Sequence, residues 1–89
     1  MAWTGIRAGD LLVQAGEIEE GRSAYEAVLE HGSEALRPLA MTALGSLHRA
    51  RQDWPAARAA YKAAIESGDP DAAPMAALNL GGLEAFYGN

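Results

Sequence analysis

A chain of 89 residues makes one domain with a modest core, burying roughly 60–65% of its unfolded surface. It has no cysteine, which excludes disulfides, thiolate zinc sites and thiol catalysis. Its 12 acidic residues outnumber 7 basic ones, for a net charge of −5 and a pI near 4.8, a balance that would repel a phosphate backbone. No apolar run approaches the ~20 residues of a membrane span, and the first residues lack a basic-then-apolar leader. The expectation is a cytoplasmic chain without nucleic-acid or membrane partners, and its wealth of alanine, the best helix former, makes it all-α.

The first helix is expected from Met1 to Ala15, with Trp3, Ile6, Leu11, Leu12 and Val13 as its apolar members. Gly5 and Gly9 each cost it about 1 kcal/mol relative to alanine, and Gly16 ends it. Glu17 opens the second helix, which runs to His31, and its acids at 17, 19 and 20 suit the positive end of the helix dipole. Gly32 is read as its C-cap, and Ser33 as the N-cap of a third helix that reaches Arg51. Pro38 lies in or just beyond that helix's first turn, where a missing N–H does least harm. Gln52 and Asp53 form a short turn, Asp53 caps the fourth helix, and Trp54 and Pro55 begin it. Gly68 closes the fourth helix, Asp69 and Pro70 punctuate the link, and a fifth helix occupies Ala72 to Tyr87.

A phrase recurs across these helices. Arg22, Ala24, Tyr25, Ala27, Glu30 and Gly32 return as Arg58, Ala60, Tyr61, Ala63, Glu66 and Gly68, each 36 positions later. At the same interval Gly9 and Leu11 meet Gly45 and Leu47, then Gly81 and Leu83, while Pro38, Ala40 and Leu44 meet Pro74, Ala76 and Leu80. A fixed period of this length marks stacked supersecondary units, each unable to bury its apolar face alone. The chain thus reads as one domain, 1–89, with repeat one at about 1–32, repeat two at about 33–68 and a half repeat at about 69–89.

The central block reads Met41-x2-Leu44-Gly45-x2-His48, then Ala57-x3-Tyr61, then Ala64 and Pro70. It resembles the tetratricopeptide repeat, whose pattern is W-x2-L-G-x2-Y, A-x3-F, A and P over about 34 residues. Met41 and His48 stand where that family has aromatics. The two surplus residues per repeat are placed between repeats, around Ser33–Pro38 and Asp69–Pro74. The resemblance implies an α-solenoid of antiparallel helix pairs, five helices in all, acting as a non-catalytic protein-interaction module. Its first, third and fifth helices would line a concave groove for a protein, a peptide or a partner helix. Groove positions carried over from the family are Arg7, Asp10 and Gln14, then Thr42, Ser46 and Arg49, then Asn79, Gly82 and Phe86. The family's carboxylate clamp of Lys and Asn side chains falls on Ile6, Asp10, Ala43, Met75 and Asn79; only Asn79 agrees, so chaperone-tail binding is not implied.

No catalytic constellation is legible: the two histidines, His31 and His48, fall on different helices, and no phosphate loop, H-E-x-x-H or nucleophile elbow occurs. No enzyme activity, cofactor, metal or small-molecule substrate is expected. Glu17, Glu19 and Glu20 read as a solvated helix start rather than a metal site, and Tyr25 and Tyr61 as interior knobs rather than ligand-stacking rings. His48 is assigned to an interior slot, Trp3 and Trp54 to packing, with Trp3 a possible anchor if it reaches the groove. The apolar fifth helix suggests a second reading: a self-assembly element, or part of a longer array, forming a homodimer through Leu80, Leu83 and Tyr87.

Overall fold

The structure is a computed structural model that describes the backbone of residues 2–88 and the side chains of residues 5–86. Five α-helices follow one another: α1 (Ala2–Gln14), α2 (Ile18–His31), α3 (Arg37–Ala50), α4 (Trp54–Glu66) and α5 (Ala72–Leu83). They fold as two antiparallel hairpins, α1 with α2 and α3 with α4, with α5 laid against α4 and α3. The product is a slab, 38 × 30 × 16 Å, with one layer of α1, α3 and α5 (inner) and another of α2 and α4 (outer). The fold is the all-α helical repeat implied by the 36-residue period.

The turns inside the two hairpins are built alike. At the end of α1, Glu17 N–H donates to Leu12 O (2.8 Å) and Gly16 N–H to Val13 O (3.0 Å), with Gly16 at φ +88°. These two bonds make a Schellman cap, which requires a left-handed residue. At the end of α3, Asp53 N–H donates to His48 O (2.9 Å) and Gln52 N–H to Arg49 O (2.9 Å). Here the left-handed residue is Gln52, at φ +63°, occupying the place Gly16 holds one repeat earlier. Asp53 then caps α4 by accepting from Ala56 N–H, as its side-chain type predicts.

The connections between repeats depart from the sequence reading. Gly32 is not a left-handed cap: its backbone is extended (φ −80°, ψ 174°), and a Cβ on it would lie 2.6 Å from Val28 O. Ser33 makes no capping bond, because a single 3-10 turn, Glu34–Leu36, intervenes before α3 begins at Arg37. That turn takes up surplus residues between the first two repeats. In the second connection Gly68 is left-handed (φ +73°), and Asp69 does the capping: its Oδ2 accepts from Asp71 N–H (3.0 Å) and Ala72 N–H (2.8 Å). At the other end, α5 stops at Leu83 rather than Tyr87 and widens into a π turn, Glu84–Gly88.

Two apolar clusters hold the layers together. One joins Tyr25, Leu44 and Leu47, flanked by Ile6, Val13, Ile18, Leu29 and Ala43; the other joins Ala57, Tyr61, Ala64, Ala76 and Leu83, flanked by Met41, Trp54, Ile65 and Leu80. Each centres on a tyrosine from the outer layer pressed onto a glycine of the inner layer. A Cβ on Gly9 would lie 2.5 Å from the Tyr25 ring, and one on Gly45 would lie 2.6 Å from the Tyr61 ring. Trp54 packs as expected, whereas Trp3 lies outside the described side chains.

The second cluster corrects one expectation. Leu83, assigned to an outward self-association face, is 1% exposed and inside the core. Helix periodicity turns it toward α4, the same side as Ala76, just as Leu47 one repeat earlier turns toward Tyr25. Leu80 is half-buried against the same cluster, and the side chain of Tyr87 lies outside the described residues.

Candidate functional site

The expected groove positions fall around a cavity between the inner helices, called the groove below. Ile6 and Asp10 from α1, Leu39, Thr42, Ala43 and Ser46 from α3, and Met75 and Asn79 from α5 line a cavity of about 260 Å³. Their spacings on each helix, four on α1, three and four on α3, four on α5, are those of a single helix face. Asp10, Thr42, Ser46 and Asn79 from the sequence-predicted set are therefore brought together. Gln14 lines an adjoining hollow of about 190 Å³ that shares Asp10, Ala43 and Ser46 with the groove. Arg7, Arg49, Gly82 and Phe86 line neither. The groove covers two turns of α3, from Leu39 to Ser46; Arg49 is the next position along, Arg7 is exposed, and Phe86 belongs to the π turn beyond α5.

Most polar groups in the groove already have partners. Thr42 is buried, and its hydroxyl donates to Pro38 O at 2.9 Å, four residues back on its own helix. Ser46 Oγ lies 3.0 Å from the Tyr61 hydroxyl, and Asp10 accepts from the Tyr25 hydroxyl. Asp10 and Ser46 occupy the same place in successive repeats, each 15 residues before its tyrosine. Burial, and then the bond to and charge of Asp10, push the Tyr25 phenol well above its ordinary value of 10.0. The exception is Asn79. Its half-buried side-chain amide makes no hydrogen bond among the described residues, and its neighbours are the apolar Ile6, Leu39 and Met75. Sequence reasoning did not single out Leu39; its signal was the spacing of three and four residues to Thr42 and Ala43.

The opposite face carries charge. Arg22 pairs with Glu19 (2.7 Å) and Glu26 (3.1 Å) along α2, and Arg51 crosses from the end of α3 to the same Glu19. The Arg22 hydrogen bond leads in holding the Glu19 carboxyl below its ordinary value, with Arg51 adding to it. His48 is not an interior residue: it is half-buried and lines the hollow formed by Glu19, Arg22, Arg51 and Asp53. Of the acid cluster at the start of α2, Glu19 is thereby committed to arginines while Glu17 and Glu20 are exposed, and no group of three or more His, Asp and Glu side chains suited to a metal ion occurs among the described residues. No described helix is long and apolar enough to cross a membrane.

The tetratricopeptide-repeat family model matches residues 6–73 and again 42–85, together most of the chain. Such repeats generally mediate protein–protein interaction, and the family is typically a non-catalytic scaffold. No curated protein and no solved structure matches the chain.

Proposed function

We propose that this chain, which belongs to the tetratricopeptide-repeat family, captures a peptide segment of a partner protein in the groove between α1, α3 and α5. The observation that carries the reading is the Asn79 amide. An amide that both donates and accepts matches the main chain of an extended peptide, and one that no described protein group engages is free to pair with it. Ile6, Leu39, Ala43 and Met75 around it supply apolar contact for one peptide side chain. Asp10 is the single charged residue of the lining, so the groove favours segments with an apolar anchor and without acidic neighbours. This is the reverse of a carboxylate clamp.

The test uses peptides selected by display on the intact protein. Asn79→Ala is expected to weaken the selected peptides by up to roughly tenfold, the effect of one lost hydrogen bond. Met75→Glu, which puts a charge among apolar contacts, is expected to abolish binding while leaving helicity unchanged. Selected peptides that bind both variants as well as the wild type would refute the groove as the site.

A further inference from the structure

Two adjoining cavities of the inner layer each hold a side-chain amide that the protein leaves unengaged. Asn79 of α5 lines the groove of about 260 Å³, and Gln14 of α1 lines the hollow of about 190 Å³ beside it. Like Asn79, Gln14 makes no side-chain hydrogen bond among the described residues. Asp10, Ala43 and Ser46 line both cavities, so one ligand can reach from one into the other.

The step between the cavities runs along the helices. On α1 the lining shifts from Ile6 and Asp10 to Asp10 and Gln14, a displacement of four residues, or about 6 Å at the rise of an α-helix. On α3 it shifts the same way, from Leu39–Ser46 to Ala43–Leu47. An extended chain advances about 6.6 Å over two residues and brings its side chain back to the same face. A helix also advances about 6 Å over four residues, but its internal hydrogen bonds leave no main-chain group for two amides to hold. We infer that the two cavities together take an extended segment of a partner protein with two apolar side chains separated by one residue. Asn79 holds its main chain at one cavity and Gln14 at the other. This names the ligand of the groove more closely and rests on the peptide-capture reading given above.

The linings set the order of preference at each position. The larger cavity, walled by Ile6, Leu39 and Met75, suits the bulkier side chain, and the smaller one, walled by Val13, Ala43 and Leu47, suits a shorter aliphatic one. Apart from Gln14, the polar side chains of the smaller cavity already have partners: Tyr25 with Asp10, and Ser46 with Tyr61. An apolar group therefore enters it without stranding them. The Asp10 carboxylate borders both cavities, so an acid at either position is repelled. The residue between the two points away from the protein and is free to vary.

The probes are random nonapeptides displayed on phage, selected on the intact protein and then synthesised. The selected peptides should share two apolar positions with one residue between them. They should move the amide signals of Val13 and Gln14 as well as those of Ile6 and Asn79. Gln14→Ala, a change at an exposed residue, should weaken them by about three- to tenfold. One glycine inserted between the two apolar positions should weaken them at least about tenfold, because the second side chain then turns away from its cavity. Peptides that move Ile6 and Asn79 but not Val13 and Gln14, that bind Gln14→Ala unchanged, or that tolerate the inserted glycine would overturn the inference and leave peptide capture standing. Selected peptides with apolar positions three or four apart would overturn it too, by giving the groove to a helix. A selection that yields no binder, or only binders that leave all four signals unmoved, would overturn both the inference and peptide capture in the groove.

Discussion

The three glycines at the 36-residue interval allow one experiment to separate a packing role from a conformational one. Alanine in place of glycine inside a helix is normally stabilising, by about 0.5–1 kcal/mol. At Gly45 the added methyl would lie 2.6 Å from a ring carbon of Tyr61, a distance at which something must move. Tyr61 is 0% exposed and held by Ala57, Ala64, Ala76 and Leu83, so the ring cannot turn aside without opening the second cluster. Overpacking of this kind costs about 1–3 kcal/mol, which outweighs the gain in helix propensity. Gly45→Ala should therefore be destabilised by about 1–2 kcal/mol net, and Gly9→Ala by a similar amount because its methyl would meet the Tyr25 ring at 2.5 Å. Gly81→Ala meets nothing among the described residues and should show the whole propensity gain, about 0.5–1 kcal/mol. For a domain of this size 1 kcal/mol moves Tm by about 4–8 °C, well within the reach of thermal unfolding followed by far-UV circular dichroism. If Gly45→Ala and Gly81→Ala shift Tm in the same direction, the tyrosine–glycine contacts do not govern the packing of the inner layer.

Two further outcomes follow from single residues. Gln52 holds a left-handed conformation that costs a non-glycine residue about 1–2 kcal/mol, so Gln52→Gly should raise stability by about 0.5–1 kcal/mol in urea unfolding, whereas Gly16→Gln should lower it. Tyr25 has a raised pKa in the folded state, so its contribution is intact below the unfolded value near 10.0 and is lost as pH rises beyond it. Stability should thus fall from about pH 10 upward, and Tyr25→Phe, though less stable at neutral pH for want of the Asp10 bond, should fall less steeply over that range.

The sequence disclosed elements better than it disclosed faces. Gly16 and Gly68 were read as helix ends because a left-handed residue is what a Schellman or related cap needs, and both are left-handed. Gly32 carries the same signal for another local reason: it ends α2 in an extended conformation in which Val28 O, four residues back on the same helix, is too close to admit a Cβ. Gln52 had no glycine to announce it and was recognised through Asp53 beside it. Among the candidate positions carried over from the family, Asp10, Thr42, Ser46 and Asn79 line one cavity, whereas its length is set by where α1 and α5 meet α3, which leaves Arg49 one turn beyond it. The tyrosine hydroxyl partners were hidden for a different reason. Asp10 and Ser46 share a position and a role without sharing an identity, and a search for repeated letters passes over them.

Leu83 shows how far the repeat itself could have carried the reading. Taken alone, Leu80, Leu83 and Tyr87 lie three and four residues apart and look like one exposed stripe. Taken in register, Leu83 is the successor of Leu47, and a residue that fills the core in one repeat fills it in the next. The residue whose surroundings do change is Gly81, since its two predecessors lie under tyrosine rings and no described residue lies within 4 Å of a Cβ placed on it. In a stacked array, equivalence predicts burial for side chains that face the preceding unit and leaves open those that face the following one.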